Sequence, residues 1–142
     1  MIVVDVNLLL YAVVTGFPQH ERARSWWESV LNDRDAVGLS SPSIFGFLRI
    51  VTNPRVLEEP LHIGEALIFV REWLARPNVA YLVPGPRHLA IAFALLEDLG
   101  TGGNFTTDVQ LAALALENDG EVHSSDADFG RFAGLRWVNP LR

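Results

Sequence analysis

The chain has no cysteine and no lysine. Without thiols there are no disulfides, no thiolate nucleophile and no Cys-based zinc site. Without lysine there is no Schiff-base chemistry and no P-loop ammonium, and all 11 basic residues are Arg, whose planar fork still binds phosphate in bidentate fashion. An Arg-only chain rich in Ala, Gly and Val also points to a GC-rich coding sequence. Positive charge is scarce overall: 17 acids against 11 bases leave a formal net charge of −6. This argues against gripping nucleic acid over a broad basic face, because such binding is largely phosphate neutralisation. It leaves room for a metal-centred nuclease, whose own carboxylates add to the negative total. Long apolar runs are missing too. No stretch reaches the ~18 to 20 residues that a membrane helix needs, since Asp5 and Asn7 interrupt the N-terminal run and no basic segment precedes it. The expectation is a soluble, cytoplasmic protein with no membrane association.

What is present reads as one globular domain over residues 1–142, with 49% hydrophobic and 20% charged residues and no repeat, linker or low-complexity segment. Short β-branched or apolar runs at 2–4, 36–40, 79–83, 121–124 and 135–138 predict strands. Between them, helical spacing and Gly or Pro punctuation predict helices over 7–14, 18–32, 42–51, 63–75 and 87–99 and a sixth that carries Asp108, Leu111, Ala112 and Ala115, with a helical turn over 128–132. Ser41 is the expected cap of the third helix and Thr106 or Thr107 that of the sixth. This alternation predicts an α/β fold, three layers with a mostly parallel sheet of about four or five strands.

Three aspartates stand out in that frame. Asp5 closes the first strand, Asp126 follows a later one, and Asp108 enters near the start of the helix between them, in line with Leu111, Ala112 and Ala115. Residues at the carboxyl ends of parallel strands converge on one crevice. Hard oxygen donors there suit Mg²⁺ or Mn²⁺, and a Mg²⁺ ion that keeps most of its waters usually acts on phosphates. Each acid alone reads more simply as a cap or dipole residue; the three at these positions together point to a metal site. Asp128 is a secondary candidate that also serves as the start of a helical turn. His20, His62, His88 and His123 show no paired zinc spacing.

The blocks Asp5-Val6-Asn7-Leu8-Leu9-Leu10-Tyr11, Gly103-Asn104-Phe105-Thr106-Thr107-Asp108 and Ser124-Ser125-Asp126-Ala127-Asp128-Phe129, in that order, resemble the PIN domain and more narrowly the VapC ribonuclease toxins of type II toxin–antitoxin systems. The resemblance covers nearly the whole chain. It implies a Mg²⁺-dependent endoribonuclease acting on RNA, usually a homodimer, held inactive by a small VapB-like antitoxin. Asp5 and Asp108 match the family's metal-binding aspartates, and Asp126 matches a third acid, as ligand or water-positioning group. Asn7 and Ser124 or Ser125 match polar positions that support them. One position departs: the family's Glu on the third helix aligns with Gly46. The competing reading is therefore a PIN-like module with weakened catalysis that binds RNA or a protein without cleaving. A small-molecule phosphatase fits less well, because Asp5-Val6-Asn7 lacks the second acid of an Asp-x-Asp nucleophile motif.

Overall fold

Five short strands, β1 (Ile2–Val4), β2 (Val37–Ser40), β3 (Val79–Leu82), β4 (Glu121–His123) and β5 (Trp137–Val138), form one sheet in the order β3-β2-β1-β4-β5 in the computed structural model, which describes all 142 residues. Every pairing is parallel. Successive strand residues point to opposite faces, and an all-parallel sheet is covered on both, which is why β1 is a run of β-branched residues rather than an alternating one. Val4 packs with Leu8, Phe47 and Trp73 on one face, and Val3 with Leu95, Leu111 and Phe129 on the other.

Six helices supply the two covering layers. α1 (Val6–Val13), α2 (His20–Leu31), α3 (Ser41–Val51) and α4 (Ile63–Leu74) cover the first face, and α5 (His88–Leu99) and α6 (Phe105–Glu117) the second. A 3₁₀ turn (Ala127–Arg131) follows β4. The chain builds outward from β1 through β2 to β3, then returns across α5 and α6 to place β4 on the other flank of β1. Strand order therefore reverses between β1 and β4, and the crevice beyond their carboxyl ends is where such sheets bind ligands.

Two caps differ from expectation. Ser40, not Ser41, caps α3: its Oγ accepts from the Ser43 N–H at 3.4 Å, because Ser41 is already helical. α6 starts at Phe105 without a side-chain cap, and Thr106 instead donates its hydroxyl to the Gly103 carbonyl at 2.9 Å. Gly103 has φ +55°, so the left-handed turn it makes leads the chain straight into the helix. Among the aromatic residues of α2 and α3, Trp27 and Phe47 are core, whereas Phe45 is exposed.

The junction of β1 with β4 leaves no room at Gly120. A Cβ there would lie 2.6 Å from the Met1 carbonyl oxygen, the same oxygen that accepts from Glu121 N–H at 2.9 Å to start the β1–β4 ladder. Gly120→Ala is expected to destabilise the fold by about 1 to 3 kcal/mol through overpacking against backbone. Gly16→Ala, where nothing lies within 4 Å, is expected to stay within about 0.5 kcal/mol of wild type. Urea unfolding followed by circular dichroism measures both.

Candidate metal and catalytic centre

The backbone fixes the centre before any side chain does. Asp5 N–H donates to the His123 carbonyl at 3.0 Å and Ser124 N–H to the Val138 carbonyl at 3.0 Å, so the sheet's hydrogen bonds run one residue past β1 and β4 on the carboxyl edge. Asp5 then caps α1, its Oδ1 accepting from Val6 N–H at 2.8 Å. Its other oxygen, Oδ2, accepts from the Ser124 hydroxyl at 2.7 Å.

Ser124 is the hub. While donating to Asp5, its Oγ accepts from the Asp126 N–H at 2.9 Å and from the Asn7 Nδ2 amide at 3.3 Å. A fully buried hydroxyl thus joins the end of β1, the first turn of α1 and the segment after β4. Ser125 makes none of these bonds. Ser124 is the last residue held by the β4–β5 ladder, and Ser125 lies beyond it, so only the former has a fixed position. Asp126 caps the 3₁₀ turn, its Oδ1 accepting from Asp128 N–H at 2.9 Å, and its carboxylate remains part of the same field of charge.

Asp108 comes from the first turn of α6 and sits half-buried. Its neighbours Val109, Leu111 and Ala112 are core residues, which holds the carboxylate against the sheet edge. Burial, and after it the negative charges of Asp5, Asp126 and Asp128, together raise its pKa from an ordinary 3.8 to about 6. Asp5, only 8% exposed, is also raised by burial; the Ser124 and Val6 hydrogen bonds oppose that, and the Asp126 charge adds to it. Acids far apart in the chain therefore sense one another electrostatically.

The donor set is hard oxygen throughout, from three carboxylates with Asp128 at the margin. Asn7 adds a buried Oδ1 that has no hydrogen-bond partner, an orphaned acceptor on the side chain whose Nδ2 donates to Ser124. No three His, Asp or Glu side chains stand grouped so as to enclose an ion by themselves. The residues fit a hard divalent cation held partly through its own waters, and they do not form a closed all-protein cage. Gly46 of α3 leans on α1 near this site: a Cβ there would lie 3.2 Å from Cγ2 of Val6, the residue after Asp5.

The PIN domain family matches residues 2–135. The chain is 58% identical over 142 residues to ribonuclease VapC33 of Mycobacterium tuberculosis, covering 100% of this chain and 99% of that one. It is 39% identical over 140 residues to ribonuclease VapC37 of the same organism, covering 99% of this chain and 97% of that one. Among solved structures, one of VapBC2 from Rickettsia felis bound to a promoter DNA fragment aligns with a TM-score of 0.69 at 17% identity, over 98% of both chains, a likeness of fold.

Two outcomes follow from the geometry. The fold favours neutral Asp108, so its contribution to stability is present below pH 3.8 and is lost as pH rises through about 6. Metal-free Asp108→Asn should melt at a higher temperature than wild type at pH 7.5, and the gap should close towards pH 4; calorimetry across that range measures it. Ser124→Ala strands buried partners and should cost about 1 to 3 kcal/mol, whereas Ser125→Ala should change stability by less than about 0.5 kcal/mol, both read from denaturant titrations.

Proposed function

The chain belongs to the PIN domain family, among the VapC ribonucleases, and from that premise we propose that it is the toxin of a toxin–antitoxin pair, an endoribonuclease that hydrolyses RNA phosphodiesters at Asp5, Asp108 and Asp126 with Mg²⁺, for which Mn²⁺ substitutes. The observation that carries the chemistry is the shared negative field at the strand-order switch. Burial and mutually repelling acids in one crevice raise the pKa of Asp108 and weaken the fold, a cost that a bound cation offsets. Asp5 and Asp108 would hold the ion, Asp126 would hold it or orient its water, and Asn7 Oδ1 is an available further oxygen.

When bound, such an ion lowers the pKa of a coordinated water and neutralises charge that develops on the phosphate. The chain's own residues supply position. Ser124 and Val6 N–H fix the rotamer of Asp5, α6 delivers Asp108 along a core-facing stripe, and the 3₁₀ turn sets Asp126. Hydrogen bonds to both Asp5 oxygens favour its ionised form, which a ligand needs.

A small VapB-like antitoxin is the proposed partner, and a homodimer the proposed assembly, working on RNA in the cytoplasm. No helix is long and apolar enough to cross a membrane. Leu89 and Phe93, one turn apart on α5, are both more than half exposed, which supports a covering partner on that helix. Gly46 favours the alternative of a binding module with weakened catalysis; against it stands the retention of all three acids.

Purified protein freed of antitoxin should cleave RNA internally with Mg²⁺ or Mn²⁺ and not in EDTA. Asp5→Asn and Asp108→Asn should each reduce cleavage by about 100-fold or more, in line with the loss of an essential charge-stabilising group, while circular dichroism stays native. Wild-type rates in both folded variants would overturn the assignment.

A further inference from the structure

Beside the acids lies a cavity of about 630 Å³ that the cleavage chemistry does not use. It opens on the same carboxyl edge of the sheet, but outside β2 and β3, between α3, the start of α5 and α6. It meets the acidic centre at two points in the chain. Thr107 lines it next to Asp108, and Gly46 lines it while resting against Val6, next to Asp5.

The charge of this cavity is opposite to that of the centre. None of its 11 lining residues is a carboxylate, although the chain carries a net charge of −6. Arg49 offers a guanidinium, and Phe45, one helical turn before it and 63% exposed, offers a ring on the same helix face. Gln110 brings a side-chain amide from α6: one N–H donates to the Thr106 carbonyl at 3.1 Å, which leaves the second N–H and the Oε1 acceptor. His88 lines the wall with only 7% of its surface exposed, and its Nδ1 is buried without a hydrogen-bond partner. That nitrogen is sealed from the open cavity, so His88 contributes a wall rather than a hydrogen bond.

We propose that this cavity is a nucleotide subsite, taking the base of the RNA residue next to the scissile phosphate. The proposal rests on the ribonuclease reading above and adds where base preference is set. Phe45 stacks on the base, the Gln110 amide reads its polar edge, and Arg49 neutralises the adjoining phosphate. Stacking on aromatics and hydrogen bonding to base edges are how proteins read single-stranded RNA. Gly46 has a positive role here: with no side chain, it leaves open the volume that a longer residue on α3 would occupy.

The test has two arms. In the first, wild type, Phe45→Ala and Gln110→Ala cut a randomised RNA pool with Mg²⁺, and the bases flanking each cut are counted by sequencing. Phe45→Ala should lose about tenfold in kcat/KM, mainly through KM, and Gln110→Ala should flatten the base distribution at one flanking position. In the second arm, Asp5→Asn protein labelled with ¹⁵N is titrated in EDTA with the four ribonucleoside 5′-monophosphates. Saturable shifts of the Gln110 side-chain amide, lost in Phe45→Ala, support the subsite even where wild type cuts no RNA, an outcome that would count against the ribonuclease reading alone. Unchanged KM and base distribution in both folded variants, or no shift at Gln110 with any mononucleotide where wild type is inactive, would overturn the subsite.

Discussion

One hydroxyl holds the centre together. The Ser124 Oγ bond to Asp5 Oδ2, 2.7 Å long and fully buried, crosses the one place in the sheet where strand order reverses. The same atom receives the Asp126 N–H and the Asn7 amide, so β1, α1 and the turn after β4 share a single anchor. A charge-assisted hydrogen bond in a water-poor position is worth more than a neutral one at the surface, and more still when its loss strands several partners. The positions of Asp5 and Asp126 are thereby set by one residue that carries no charge itself.

Against that cohesion works the repulsion among the acids. Burial and like charge both penalise ionised Asp5 and Asp108, and the hydrogen bonds to Asp5 compensate it only in part. The fold tolerates this because the rest of the sheet is covered on both faces by apolar helices, with Val3 and Val4 at zero exposure in two separate clusters. Strain of this kind, confined to a few residues in an otherwise consistent structure, is the usual mark of a working site.

Much of this was legible in the residues. The strands and helices follow from β-branched runs, helical spacing and Pro or Gly stops, all of them local signals, and the observed elements begin and end within a few residues of expectation. The caps of α3 and α6 lie one to three residues before expectation because Ser40 and Ser41 offer the same chemistry, and because Gly103 makes a turn that needs no capping side chain. Asp5, Asp108 and Asp126 could be named because strand ends converge in an alternating fold. The choice between Ser124 and Ser125 was not legible, since it depends on how far the β4–β5 ladder runs. Nor was the cavity at His88 and Gln110, residues that carry no motif and become neighbours only when α5 and α6 fold back over β3.

The strand order also dictates when the centre comes into being during synthesis. Asp5 leaves the ribosome long before the strand that flanks it and the serine that orients it, which lie at positions 121 to 124. Through that interval the nascent chain has its first acid and lacks the partner that aims it. Any product that stops before β4 has neither Ser124 nor Asp126 and is missing a central strand of the sheet. Biosynthetic timing is thus written into the topology: the centre is assembled only once the segment that carries β4 and Ser124 has emerged.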